Sequence, residues 1–253
     1  MQKYFISKED LSLNRIKGDD AYQIFTVLRY KGGEMVMVSD SEKSYLVKIK
    51  NVTKDEVSFE IVEEKTGNTE LPVFVSIFQG YPKGDKMEEI IKHGTELGAS
   101  YIYPTFMKRS IVKLDEKKID SKLLRFQKIA KEAAEQSFRN VIPEIPSIPY
   151  LKTIDFSKYD VKILCYEESA KNGELKEFKN IVSNLKKGQN IACVIGPEGG
   201  IDDSELEYLK NKGFTPCALG PRILRTETAV FYILSAISYE MELVKWKRLA
   251  LSH

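Results

Sequence analysis

This 253-residue chain has little that would staple it, bind a metal or hold it in a membrane. Its three cysteines, Cys165, Cys193 and Cys217, are odd in number, widely spaced and set in apolar strand-like runs, with no CxxC pair and no His beside them. Reduced thiols packed in a core are expected, not a metal site. Neither of the two histidines forms a dyad with a cysteine, and His93, in IKHGTEL, reads as a helix-face residue. No apolar run is long enough to cross a bilayer. MQKYFISKED alternates polar and apolar residues where a signal peptide would be apolar, so a cytoplasmic location without a membrane partner is the expectation. The chain also lacks both common phosphate fingerprints: no glycine-rich loop ends in Lys-Ser/Thr, and no glycines stand at first, third and sixth positions after a strand. A nucleotide-phosphate binder of either kind has no support.

Composition is that of an ordinary globular protein, 42% hydrophobic and 30% charged, with length enough for one large α/β domain or two smaller ones. The net charge of +2 is unevenly distributed. Residues 1 to 72 hold 11 basic and 13 acidic residues, so the positive excess lies in the remainder. There Lys108, Arg109, Lys113, Lys117 and Lys118 cluster, followed by Lys122, Arg125, Lys128, Lys131 and Arg139. Such a run is a solvated helix face or an electrostatic track for a phosphate backbone.

The first 70 residues are β-rich. EMVMVSD (34–40), SYLVKIKNV (44–52) and VSFEIVEE (57–64) alternate and are separated by Gly, Asp, Asn and Ser turns, which predicts a small barrel with one apolar interior face. DDAYQIFTVLRY (19–30) has Ala21, Ile24, Phe25 and Leu28 at helical spacing and predicts a short helix plugging that barrel. At Pro72 the pattern changes, and a domain boundary is expected at Leu71 to Val73, giving domains 1–72 and 73–253. VFVSIFQ (73–79) is a continuous apolar run of the kind buried in a parallel sheet. Strands and helices then alternate. Helices are predicted at 84–99 (ending at Gly98), 119–138 (capped by Asp120 or Ser121), 174–187, 203–212 and about 227–248; strands are predicted at 100–106, 162–168, IACVIG and FTPCALG. VIPEIPSIPY (141–150) must be extended because of its three prolines.

Two turns stand out, IGPEGGIDDSELE (195–207) and LGPRILRTETA (219–229). Each follows a short apolar run and opens onto a helix-like stretch, so each leaves main-chain groups open to a ligand at the end of a strand. Together with QGYPKGDKMEEIIKHGTELG (79–98) and KIAKEAAEQSFRNVIPEI (128–145), they resemble the family that methylates N3 of a uridine in small-subunit (16S) ribosomal RNA, a branch of the SPOUT methyltransferases. The resemblance spans nearly all of 73–253. It implies an α/β fold with a SPOUT-type parallel sheet and a C-terminal trefoil knot, preceded by a small PUA-like β-barrel that binds RNA. It implies S-adenosylmethionine as cofactor, small-subunit ribosomal RNA or a ribosomal particle as substrate, and a homodimer. Gly196, Pro197, Gly199, Gly200, Leu219, Gly220, Ile223 and Leu224 would line the cofactor pocket, with Leu219 and Leu224 covering the adenine faces. Arg29, Lys83, Arg109, Gln136 and Arg139 are the candidate RNA contacts. Related sequences carry a His and a second Arg where this chain has Gln23 and Thr26, so fewer cationic contacts are expected there. A non-catalytic RNA-binding or ribosome-assembly factor on the same fold is the alternative, which the intact turns disfavour.

Uracil N3 is an imide that must lose its proton before attacking a sulfonium methyl group, so the site has to stabilise an anion. Arg225 is the first candidate, with Arg222 behind it; at three-residue spacing both can share a side if a helix has begun. Glu198 and Glu227 are the candidate proton acceptors, though a carboxylate near its ordinary pKa is a poor base for this proton. No metal is required.

Overall fold

The computed structural model describes residues 1–112, 116–171 and 175–244. Lys113, the start of the helix expected from 174 and the expected helical residues 245–248 lie outside the described residues. The chain divides into two compact units: Met1–Glu70 with Lys131–Ile142, and Leu71–Ala130 with Pro143 onward.

In the first unit, strands β1 (Lys3–Phe5), β2 (Arg15–Lys17), β3 (Met35–Ser39), β4 (Ser44–Val52) and β5 (Glu56–Lys65) form one sheet of order β1-β3-β4-β5-β2. Helix α1 (Lys8–Ser12) is capped by the Ser7 side chain. Helix α2 (Asp19–Gln23) continues as a π-helical turn, Ile24–Leu28. Ala21 and Ile24 enter a core made by Tyr4, Ile16, Val36, Val38, Val47, Ile49, Val57 and Phe59, so the alternation of β3 to β5 does put one apolar face inward. Phe25, expected to share the helix's apolar face, is instead 45% exposed: it adjoins Ile24 in sequence and so points off the buried side.

The sequence does not suggest that 131–142 groups with this unit. Charge holds it there. Lys131 Nζ donates to Asp20 Oδ2 (2.7 Å), and the Phe5 N–H donates to Glu135 Oε1 (3.2 Å). Lys3 Nζ, 3% exposed as a residue, donates to Ser44 Oγ (3.0 Å) and Asn140 Oδ1 (3.1 Å). Arg139 binds Glu70, whose other carboxylate oxygen accepts from the Asn140 and Val141 amides at 2.9 and 3.2 Å.

In the second unit, β6 (Phe74–Gly80), β7 (Tyr101–Thr105), β8 (Val161–Cys165), β9 (Asn190–Ile195) and β10 (Thr215–Cys217) form an all-parallel sheet of order β10-β8-β9-β6-β7. The helices are α3 (Lys86–Glu96), α4 (Ile119–Gln136, which runs into the first unit), α5 (Glu168–Lys171), α6 (Glu177–Asn184), α7 (Asp203–Asn211) and α8 (Thr226–Ser238), which continues as a π-helix to Val244. Phe78, Leu164, Ala192 and Val194 share one sheet face with Leu206 and Leu209 of α7. On the other face, Gly94 of α3 lies where an added Cβ would meet Ile102 at 3.2 Å and Leu234 of α8 at 3.8 Å. The sheet is therefore sandwiched, which is why β6 reads as a continuous apolar run. The 141–150 segment is extended as expected and, from Pro143 on, bridges in parallel to Tyr101 of β7 through Glu144 and to Phe106, just past β7, through Tyr150.

Two expectations about helix ends meet different outcomes. Helix α4 begins at Ile119 behind a 3-10 turn, Glu116–Lys118, so Asp120 and Ser121 sit inside its first turn and not at its cap. Gly98 does end the α3 segment, at φ +93. Among the cysteines, Cys193 and Cys217 are buried and Cys165 half-buried, all three free. Burial holds the Cys165 and Cys193 thiols protonated by pushing their pKa up.

Candidate functional site

The five parallel strands of the second unit deliver their C-terminal ends to one edge of the sheet, where open α/β sheets bind ligands. After β9 the chain turns through Gly196, Pro197, Glu198, Gly199 and Gly200 into α7, whose N-terminus carries a capping box of Asp202 and Glu205. After β10 it runs through Ala218 to Arg225 into α8. Gly200 and Gly220 have φ of +73 and +120, backbone that only glycine adopts without strain. Between the turns lies a cleft of about 920 Å³, walled by Ile195 to Glu198, Gly200, Ile201 and Cys217 to Thr226, with Tyr166, Glu167 and Glu168 from the end of β8.

The two turns are fastened to each other. Thr226, the first residue of α8, donates its hydroxyl to the Gly196 carbonyl (2.6 Å) and accepts from Gln79 Nε2 (2.7 Å). Gln79 Nε2 also donates to the Gly80 carbonyl at 2.8 Å, so two acceptors fix which way the buried amide points. Gly80 is the second fastening. A Cβ there would fall 2.5 Å from Pro197 N and 2.9 Å from Gly196 C, so the end of β6 lies against the first turn. Lys86 Nζ, from the first turn of α3, is the third. It donates to Glu198 Oε1 (3.0 Å) and stands 3.5 Å from Glu227 Oε2. One cation thus spans a carboxylate of each turn.

The expected cofactor residues Gly196, Pro197, Gly200, Leu219, Gly220, Ile223 and Leu224 all line the cleft. Gly199 is not among the lining residues and packs on one of them: its carbonyl accepts from Arg109 Nη1 (3.2 Å), and an added Cβ would meet Arg109 Cβ at 3.1 Å. Arg225 and Arg222 line the cleft and are exposed. Helix α8 starts only at Thr226, with Arg225 as an extended cap residue (φ −63, ψ 155), so Arg222 and Arg225 precede the helix and do not share a helix face.

Neither expected proton acceptor is free. Burial pushes the Glu198 carboxyl up, but hydrogen bonds from its own amide, Lys86 and the Lys83 amide (3.1 Å) outweigh this and hold it below the usual carboxylate range. Glu227 does not line the cleft, and its carboxylate faces Lys86.

Of the expected RNA contacts, Arg109 is exposed at the cleft wall and Lys83 is exposed beside Glu198. In the first unit, Arg29 is exposed just past the π-helical turn in left-handed backbone (φ +54), and Gln136 is exposed at the end of α4. Arg139 is corrected. It is 4% exposed and its guanidinium is bound to Glu70, so it is a buried structural cation and not an RNA contact. Asn140 likewise turns inward, to Lys3, Ser44 and Gly67. His93 pairs with Glu96 (2.8 Å) and lies edge-on to Phe231, a helix-face residue as expected. Sequence patterns do not single out Gln79, Lys86 or Thr226. The one available signal, for Gln79, is a long amide side chain in a strand whose only other polar residue is the small Ser76.

Three comparisons bear on this site. A family model for an RNA methyltransferase domain matches residues 69–238. The chain is 43% identical, over 97% of its length and 99% of the relative's, to the ribosomal RNA small subunit methyltransferase E of Bacillus subtilis (strain 168). It is 33% identical to the protein of the same name from Mesomycoplasma hyopneumoniae (strain 232), over 92% of this chain and 94% of that one. The crystal structure of a ribosomal RNA small subunit methyltransferase E from Neisseria gonorrhoeae bound to S-adenosyl methionine superposes with a TM-score of 0.79 at 27% identity, covering 94% of this chain and 97% of that one.

Proposed function

The chain belongs to the RNA methyltransferase family, and we propose from that membership that it transfers the methyl group of S-adenosylmethionine to N3 of one uridine of small-subunit ribosomal RNA. It is an S-adenosylmethionine-dependent ribosomal RNA methyltransferase; the uracil N3 is the finer assignment. The observation that carries it is the pair of glycine turns fastened around one cleft at the C-terminal edge of a parallel sheet. The cleft suits the cofactor in chemistry as well as size. Leu219, Ile223, Leu224 and Ile201 offer apolar surface for an adenine, and the glycines leave main-chain donors and acceptors uncovered. Gly196, Pro197, Gly200, Leu219, Gly220 and Leu224 would hold it, with Gly199 acting through Arg109. When bound, S-adenosylmethionine supplies an electrophilic methyl group on a sulfonium.

The chain's own residues orient the uracil and stabilise its N3 anion. Arg225, an exposed cation at the cleft wall, is assigned to the developing charge on O2 or O4, with Arg222 behind it. Glu198 and Glu227 are assigned to holding the turns through Lys86, whose Nζ stands 3.0 Å from one carboxylate and 3.5 Å from the other. The N3 proton therefore leaves to solvent as Arg225 lowers the cost of the anion.

The first unit is assigned as the PUA-like RNA-binding barrel and the turns of the second as parts of a trefoil knot. A cytoplasmic homodimer is the proposed form. The apolar stripe of α8 and its continuation, Ala229, Val230, Ile233, Leu234, Ile237 and Met241, is buried in the chain's own core and is not open to a partner. Support for a dimer comes instead from Tyr232, Tyr239 and Leu243, which are 44%, 61% and 57% exposed along α8 and its continuation.

Thermal denaturation with S-adenosylmethionine, its demethylated product and ATP tests the cofactor. At a hundred times Kd the first two should add roughly 2.7 kcal/mol and ATP nothing. Stabilisation by ATP with none by the methyl donor would refute the proposal.

A further inference from the structure

Beside the cleft, three aromatic rings run from the core of the second unit to its surface, none of them used by the chemistry above. Tyr81 directly follows Gly80, the residue pressed against Pro197, and is 4% exposed. Its ring stacks on Phe106 with centroids 6.0 Å apart and planes 14° from parallel. Phe106 in turn packs against Tyr150 at 5.1 Å, and Tyr150 is 67% exposed.

The outer ring is held in place. The Phe106 amide donates to the Pro149 carbonyl (2.8 Å) and its carbonyl accepts from the Leu151 amide (3.1 Å), which clamps Tyr150 against Phe106 from both sides in the chain. Pro149 further restricts the backbone in front of it. Tyr150 thus presents a large apolar surface from an ordered backbone, with Phe106 packed against its ring. Exposed cations follow the row's rings in the chain at the same strand ends: Lys83 two residues after Tyr81, and after Phe106 both Arg109 and Lys108, the latter paired with Asp202 (3.0 Å). Arg109 belongs to the cleft wall, so the row and the cleft share one rim.

An exposed aromatic on a fixed backbone, backed by further rings and with cations at the same strand ends, is suited to an unstacked nucleobase on a phosphodiester chain. We propose that Tyr150, supported by Phe106 and Tyr81, is a stacking platform for a base of single-stranded RNA adjoining the nucleotide in the cleft, with Lys83 and Arg109 near the intervening phosphates. This rests on the RNA methyltransferase reading and names how that site grips its substrate. Stacking on a flanking base is made equally in the ground and transition states, so its loss raises KM for RNA and leaves kcat unchanged.

The test uses the full chain, tritiated S-adenosylmethionine and small-subunit particles purified from a strain lacking the gene. Tyr150→Leu keeps an apolar contact to Phe106 but removes the π face, while Tyr150→Phe keeps the face and removes the hydroxyl. The Leu variant should raise KM for particles roughly five- to a hundredfold, the range of base–aromatic stacking. Its kcat, its affinity for S-adenosylmethionine and its melting temperature should match wild type, and the Phe variant should restore KM to within about twofold. If wild type methylates the particles and Tyr150→Leu has an unchanged KM, the platform is refuted while the enzyme assignment stands. Equal impairment of both variants refutes the platform as well. If wild type transfers no methyl group, the methyltransferase reading fails and the platform with it.

Discussion

Gly80 is where a single methyl group should separate folding from cofactor binding. Its backbone is unstrained, and its φ is not among the positive values, so alanine brings no conformational penalty of its own. The obstacle is space. The new Cβ would lie 2.5 Å from Pro197 N and 2.9 Å from Gly196 C, against about 3.5–4.0 Å for ordinary non-bonded carbon contact. The nearest atom of all is Cδ of the Pro197 ring, which is tied to the backbone and cannot rotate away, so the first turn must retreat by about 1 Å. Overpacking of this kind costs roughly 1–3 kcal/mol of stability, which a protein of this size survives. The turn is the wall of the cleft, and a shift of that size in a binding wall costs on the order of a hundredfold in function. Titration calorimetry with S-adenosylmethionine on Gly80→Ala should show Kd raised roughly fifty- to a hundredfold, with the circular dichroism spectrum retained and the melting temperature a few degrees lower. Gly67→Ala is the control, since a Cβ there has nothing within 4 Å. If Gly80→Ala binds within about twofold of wild type, the turn against Gly80 is not the cofactor wall.

Arg225→Ala should keep cofactor affinity and lose methyl transfer; turnover within about tenfold of wild type, a barrier change under roughly 1.4 kcal/mol, would remove Arg225 from the chemistry. Arg139→Met should act on folding, because it strands the Glu70 carboxylate inside the first unit. A loss of about 3 kcal/mol in urea denaturation is expected, and unchanged stability would contradict the buried pairing. Glu135 gives a pH dependence of definite sign. Burial pushes its carboxyl up to about 7 from an ordinary 4.5, with Lys131 pulling the other way. Between those values the unfolded chain releases this proton and the folded chain keeps it, so the contribution of Glu135 to stability falls as pH rises from about 4.5 to about 7. Glu135→Gln should therefore be more stable than wild type by an order of 1–3 kcal/mol at pH 8 and equal to it below about pH 4.5; a gap independent of pH would refute the raised carboxyl.

How much of the fold and site is legible in the sequence depends on whether the signal is local. The alternation of β3 to β5, the apolar run of β6, the extended 141–150 segment and the two glycine turns are all written in neighbouring residues, and each lies where its pattern puts it. β1 and β2, at three residues each, are too short to show a period and exist because β3 and β5 pair with them. Arg139 reads as a surface cation because its partner, Glu70, is 69 residues away. Glu198 and Glu227 read as free carboxylates for the same reason: Lys86, which engages both, belongs to another helix. Spacing along a chain reports which face a residue shares, whereas the charge that meets it there is set by tertiary pairing.

The central claim is that the cleft between the two glycine turns directs a methyl group from S-adenosylmethionine to N3 of a uridine in small-subunit ribosomal RNA. Mass spectrometry of nucleosides from small-subunit particles of a strain lacking the gene, before and after incubation with the purified protein and S-adenosylmethionine, tests it most directly. A single uridine converted to its N3-methyl form is the expected result, and unchanged nucleosides, or a methyl group on ribose or on a ring carbon, would contradict the account.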